Sequence, residues 1–233
     1  VRDDKRKKAP YIMIHHGRPE SPARFAVMGR QNYPVNANYF VAQGFAVLIP
    51  TRIGYGLTGG RDVEYTGECG SKNYLGGIAP IVSETQQILA YVEKLPYVDS
   101  SKGIVMGESF GGIGAIAIAS SELKSVTGVI NISGGDGGSL EHLDKPCRPD
   151  QLGHTFAQYG KNNHLPSLWM YSLNDRYWGT EYPKQWFAAF TQAGGRGEFV
   201  SLPADKNNGH FIFTRNPEAW RPAFEAFIRK LGF

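Results

Sequence analysis

Cysteine is scarce in this chain. Cys69 and Cys147 are the only two in 233 residues, and they lie far apart without metal-ligand spacing. Two buried thiols, or one disulfide in an exported protein, are both compatible with that usage. Long apolar runs are missing too: none reaches the roughly 18 residues a transmembrane helix requires, so no membrane span is expected. Charge of one sign is in short supply, with 25 Lys and Arg against 21 Asp and Glu and a net charge of +4. The one dense basic run, Arg2 to Lys8, reads as a solvated terminus. Without a basic face or an aromatic–basic module, no nucleic-acid partner is expected. His15 and His16 are neighbours on an apparent strand, so they point to opposite faces and cannot share one ion; neither a metal nor a cofactor is expected. The chain begins at Val1 instead of methionine, which suggests a removed upstream segment such as a signal peptide. On that basis a periplasmic or secreted location is favoured over the cytoplasm.

What is present is an ordinary enzyme-like composition, 41% apolar and 20% charged. A chain of this length buries roughly 70–75% of its extendable surface and needs no staple to hold a core. Apolar runs at 11–16, 45–49, 103–106, 126–132, 168–172 and 199–202 read as strands. Helical spacing marks 35–43, 78–95, 112–119, 182–193 and 217–231. Strand and helix alternate, which implies right-handed crossovers and a mostly parallel sheet covered on both faces. We read residues 1–233 as a single α/β domain. The stretch 134–165 lacks clean periodicity and is too long for a simple connector, so it reads as a lid or substrate-site insertion.

The chemistry gathers where strands end. Gly107-Glu108-Ser109-Phe110-Gly111 joins the 103–106 strand to the small-residue helix. This G-x-S-x-G turn exposes a serine Oγ above a sheet, with a helix N-terminus behind it. A serine hydroxyl attacks only when a base takes its proton and a third group orients that base. Asp175, after the 168–172 strand, is the candidate acid, and His210, after the last strand, is the candidate base. The amides of Phe110 and Arg18 are the candidate oxyanion donors. Gly112, Gly114 and Ala117 also fit a dinucleotide-binding G-x-G-x-x-A, with Asp136 placed 24 residues on. These glycines fall inside the helix instead of at the phosphate turn, which argues for close helix packing.

Together His16-Gly17, Arg52-Ile53-Gly54-Tyr55-Gly56, Leu95-Pro96-Tyr97-Val98-Asp99, the serine pentapeptide with Gly112, Asp175 and Gly209-His210 resemble a dienelactone-hydrolase-like member of the α/β-hydrolase superfamily. They also resemble the catalytic domain of prolyl-oligopeptidase-type enzymes. The resemblance implies an α/β-hydrolase fold and a serine hydrolase that cleaves carboxylic esters through an acyl-enzyme. Namesake dienelactone hydrolases use cysteine, so that activity is not carried over to a chain with Ser109. Two antiparallel strands commonly precede the first strand of such folds; with ten residues before Tyr11, they are expected to be shortened or lacking. Arg52, Tyr55, Glu108, Arg176 and Trp178 lie on or beside the same edge and are the candidate substrate contacts. Arginine forks suit a carboxylate and aromatic rings suit a ring, so a small anionic or aromatic ester is the expected substrate. A peptidase, an acyltransferase or a non-catalytic binding protein on this fold are the alternatives.

Overall fold

Short apolar segments separated by Gly- and Pro-rich turns build the sheet. A computed structural model describes residues 8–121 and 123–233; apart from Lys8, the basic run at the N-terminus lies outside them. The strands are β1 (Ala9–His15), β2 (Ala46–Leu48), β3 (Val98–Glu108), β4 (Gly128–Ile132), β5 (Ser167–Ser172) and β6 (Gly197–Leu202). They pair in the order β2-β1-β3-β4-β5-β6, and every pairing is parallel. Among the described residues the sheet carries no antiparallel strand.

Side-chain alternation along the strands divides the core in two. Tyr11, Met13, Val105, Val129 and Trp169 face one layer, formed by α3 (Tyr74–Val92), α4 (Phe110–Ala119), α5 (Pro149–Asn162) and α6 (Glu181–Gln192). Ile12, Ile14, Ile104, Met106, Ile130 and Met170 face the other, formed by α2 (Pro34–Ala42), the short α7 (Ile212–Arg215) and α8 (Pro217–Lys230). On α8 the buried residues Trp220, Phe224, Phe227 and Ile228 recur at i, i+4, i+7 and i+8, one stripe of a helix. Each such side chain contributes about 1.5–3 kcal/mol through its removal from water.

A short helix, α1 (Pro22–Val27), follows the segment that leaves β1. One sequence expectation needs correction. The stretch 134–165 is not a structureless insertion, since α5 occupies its second half and packs beside α6 as the β4–β5 crossover. Its buried positions Leu152, Thr155, Phe156 and Gly160 have helical spacing, but only two of them are large and apolar, so the periodicity is faint in sequence. Residues 134–148 remain loop. Cys69 and Cys147, left unassigned by sequence, form a disulfide with Cα atoms 5.1 Å apart, tying the turn before α3 to the segment before α5.

The strand order locates the site. The chain runs from β1 outward to β2, then returns across β1 to β3 and continues outward through β4, β5 and β6. The order therefore reverses between β1 and β3, and ligands of open α/β sheets bind beyond the carboxyl ends of strands at such a switch point. The segment leaving β1 is His16-Gly17-Arg18, and the segment leaving β3 is Ser109.

Candidate active site

Ser109 is the residue between β3 and α4, and its backbone is strained, with φ 53° and ψ −123°. For a non-glycine residue this is a rare conformation that persists only where its surroundings enforce it. They do so here: the Ser109 N–H donates to the Ile132 carbonyl at 3.0 Å, while its own carbonyl accepts from Gly112 and Gly135 at 2.9 and 3.1 Å. The flanking glycines are sterically required. A Cβ on Gly107 would lie 2.3 Å from the Gly111 carbonyl carbon, and one on Gly111 would lie 2.2 Å from the His15 carbonyl oxygen. Gly112 and Gly114 serve packing, as read from their place in the helix: Cβ atoms there would strike Asn131 at 2.5 Å and Ile81 at 2.7 Å.

His210 sits on a 3-10 turn, Gly209–Phe211, and is buried. Its Nδ1 lies 3.1 and 3.0 Å from the two carboxylate oxygens of Asp175. Asp175 is itself buried and accepts the Tyr177 N–H at 2.9 Å, so the carboxylate is fixed before it meets the imidazole. Asn208 joins the two loops, because its side-chain oxygen accepts from the N–H groups of His210 and Arg176, both at 3.0 Å. Rings surround the imidazole: Tyr177 at 4.1 Å between centroids, Phe211 at 5.2 Å and Trp178 at 5.4 Å.

Ser109 and His210 open into one cavity of about 190 Å³, lined also by Gly17, Arg18, Met28, Gln31, Tyr33, Glu108, Tyr177 and Phe211. A second cavity, of about 420 Å³, adjoins Ser109 and Phe110 on the side of residues 135–139 and Cys147. The Gly17 backbone comes so close that a Cβ there would be 3.3 Å from the Ser109 Cβ. As the first residue of α4, Phe110 has no intrahelical partner for its N–H.

The remaining candidates separate. Glu108 lines the Ser109 cavity and its Oε1 accepts the Tyr33 hydroxyl at 2.7 Å. Burial raises its carboxyl above the ordinary range, against the opposing effects of Tyr33 and His210. Arg52 and Tyr55, expected at the substrate, are instead fully buried. The Arg52 guanidinium pairs with Glu64 at 2.5 Å and donates to the His16 carbonyl at 2.7 Å, while the Tyr55 hydroxyl also donates to Glu64. Burial alone would favour a neutral Arg52, but Glu64 and Tyr55 outweigh it and keep the guanidinium charged. Arg176 is not part of the Ser109 cavity's lining and pairs with Asp144 at 3.5 Å beside a separate cavity. Trp178 is buried and donates its indole N–H to the Ser133 carbonyl at 2.8 Å, which places it as a wall of the second cavity. Asp136, the acid of the dinucleotide pattern, is engaged by Thr66 and lies 3.7 Å from Lys72.

Sequence reasoning missed Tyr33, Gln31 and Met28, which reach the cavity from an irregular segment with no periodic signal. It also missed the part played by Asn208. There a signal existed, since an asparagine two residues before another residue's N–H is a common turn-forming pattern.

No family model and no curated protein matches the chain. Solved structures do. Est1E from Butyrivibrio proteoclasticus, with ferulic acid bound, superposes with a TM-score of 0.62 at 15% identity, over 97% of this chain and 92% of that one. The acetyl xylan esterase from Paenibacillus sp. R4 gives 0.61 at 17% identity, over 97% and 74%. The acylaminoacyl peptidase from Pyrococcus horikoshii gives 0.60 at 12% identity, over 99% of this chain and 38% of its own. At such identities the likeness concerns architecture: this chain has the α/β-hydrolase fold.

Proposed function

We propose that this chain is a serine hydrolase that cleaves small carboxylic esters, with Ser109 as nucleophile, His210 as base and Asp175 as the group that orients it. One observation carries the reading: a strained Ser109 at the head of α4 opens into the same cavity as His210, whose Nδ1 is held 3.0 Å from Asp175. With Nδ1 donating to Asp175, Nε2 is the basic nitrogen, free to take the Ser109 proton. The serine oxygen then adds to the ester carbonyl, and the oxyanion rests on the N–H groups of Phe110 and Arg18. His210 returns its proton to the departing alcohol, and water repeats the sequence on the acyl-enzyme. Losing one oxyanion donor in such sites costs about 2.7–4 kcal/mol of transition-state stabilisation. The aromatic lining by Tyr33, Tyr177 and Phe211 suits an acyl or alcohol group with a ring, and the ferulic acid bound to Est1E supports that class.

Fluorophosphonate labelling of the folded protein, with the adduct located by mass spectrometry, tests the nucleophile independently of the natural substrate. One equivalent on Ser109, absent in Ser109→Ala, is the expected result. No adduct on a folded protein overturns the reading. A peptidase or an acyltransferase would use the same three residues, and matched ester and amide substrates, with water or an alcohol as acceptor, separate them once labelling succeeds.

A further inference from the structure

The polar groups of the Ser109 cavity are unevenly spent. Both tyrosine hydroxyls in its lining already donate, Tyr33 to Glu108 and Tyr177 to Glu20. Among the described residues the one guanidinium or ammonium in the lining is Arg18. Asp62 holds it bidentately at 2.9 and 2.6 Å, and it lies 4.3 Å over the Phe25 ring. The Gln31 amide nitrogen donates to the Gly29 carbonyl at 3.2 Å, and among the described residues nothing donates to its side-chain oxygen. Nothing else among the described residues donates to the Glu108 carboxyl besides Tyr33, so Oε2 is free as well. The tyrosine hydroxyls are therefore spent on carboxylates and the guanidinium is paired with Asp62, while an oxygen of Glu108 and one of Gln31 stay open.

We propose that Glu108 and Gln31 select substrates carrying a hydrogen-bond donor, a hydroxyl or an ammonium, on the moiety that fills this cavity, and that they reject carboxylates there. The inference rests on the ester-hydrolase reading and reverses the anionic expectation drawn from sequence, because Arg52 and Arg176 are not in the cavity while Glu108 is. A carboxylate entering would meet the Glu108 carboxyl and the Gln31 amide oxygen, with the one guanidinium of the lining already paired to Asp62, and an unpaired buried acceptor is costly.

The test uses two matched ester series. On the acyl side these are the methyl esters of butanoic, 3-hydroxypropanoic, 3-aminopropanoic and malonic acids. On the alcohol side they are the acetates of propanol, ethylene glycol, 2-(dimethylamino)ethanol and glycolic acid. Each kcat/KM is normalised to that ester's own hydroxide-catalysed rate. In one of the two series the hydroxyl or ammonium member should exceed the methyl member by about tenfold or more, the range of a hydrogen bond to a charged group, with the carboxylate member slowest. Glu108→Gln should erase most of the ammonium advantage and of the carboxylate penalty, both read as ratios within the variant. Gln31→Leu, at a partly exposed loop position, should lower the hydroxyl and ammonium ratios and serves if Glu108→Gln does not fold. Flat profiles in both series, or a fastest carboxylate member, overturn the proposal while a labelled Ser109 leaves the hydrolase reading standing. If no ester is turned over and Ser109 is unlabelled, the hydrolase reading fails and this inference falls with it.

Discussion

Behind Gly17, the segment leaving β1 rests on buried charge. Arg52 bridges the Glu64 carboxylate and the His16 carbonyl. His16 Nδ1 donates to the Gly17 carbonyl at 2.7 Å, and its Nε2 accepts the Arg52 N–H at 3.4 Å. Behind His210, on the opposite flank of Ser109, the supports are amides and rings. Asn208 caps the histidine turn, the Asn174 side chain bonds the backbone of Asp205 and Lys206 at 2.9 Å each, and Tyr177 stacks on the imidazole. In the proposed mechanism the difference follows from what each flank would do. An oxyanion donor is a backbone N–H that never changes charge, so fixed charges can set it. The imidazole would gain and lose a proton in every turnover, and supports without charge of their own leave its protonation to Asp175 and the substrate. The nucleophile thus sits between a flank held by ions and a flank held by neutral hydrogen bonds.

The largest effect should come from Asp175, the carboxylate that meets the imidazole. Asp175→Asn keeps an oxygen for the Tyr177 N–H but no longer fixes His210 as the Nδ1–H tautomer. We expect kcat on esters to fall by about 10⁴ with little change in the unfolding midpoint. A loss of less than tenfold would remove Asp175 from the mechanism. The ionic flank should respond the other way, in stability first. Arg52→Leu strands a buried Glu64, and breaking a buried pair from one side costs about 3–5 kcal/mol. Urea unfolding should show that loss, and Arg52→Leu combined with Glu64→Leu should recover most of it. Single variants within about 1 kcal/mol of the parent would mean that the flank does not depend on its ions.

These flanks were unequally legible in sequence. The strands, the serine turn and the strand-end positions of Asp175 and His210 could be read because a motif, a chain order and a strand-end position coincide there, whereas the order of strands in the sheet could not. Arg52 and Tyr55 could be placed on the correct edge, but an arginine inside the protein looks like an arginine facing a substrate until Glu64 is seen 12 residues away with its carboxylate turned inward. The same reading gave the site a positive character, whereas in the structure the Glu108 carboxyl lines the cavity and its one guanidinium among the described residues, that of Arg18, is paired with Asp62. Folding also paired Cys69 with Cys147 across 78 residues, a contact that no local pattern encodes.

Acid sharpens the contrast between flanks. Burial, reinforced by Arg52, lowers the pKa of His15 to about 3 and that of His16 well below the usual histidine value. Both are held neutral in the fold, so the unfolded chain takes up protons first as pH drops through about 6.5. Their contribution to stability is full above that value and is lost progressively below it, down to about pH 3 for His15. Between pH 7 and 5 the loss is about 2 kcal/mol per histidine. Glu84 and Glu108, whose carboxyls burial raises, act in the opposite direction, so the measurement is a difference. His15→Gln, which keeps a partner for Thr85, should lose about 2 kcal/mol less than the parent over that interval. Equal slopes would show that His15 takes up its proton alike in the folded and the unfolded chain.

The smallest expected effect separates support from chemistry on the neutral flank. Asn208→Ala removes two acceptor bonds that join the histidine and aspartate loops, worth about 1–2 kcal/mol together. If Asn208 only stabilises, unfolding shifts by that amount and Ser109 reacts with fluorophosphonate at the parent rate. If it positions His210, labelling and kcat fall about tenfold, a barrier change of about 1.4 kcal/mol, while KM stays. Asn208→Asp, which retains the acceptor, should then restore both. We expect the second pattern, because the histidine turn has few other anchors to the Asp175 loop: Gly209 donates to the Asn174 carbonyl at 3.1 Å, and His210 itself bonds Asp175. A stability loss as large as that of Arg52→Leu would instead show that the amide flank carries as much of the fold as the ionic one.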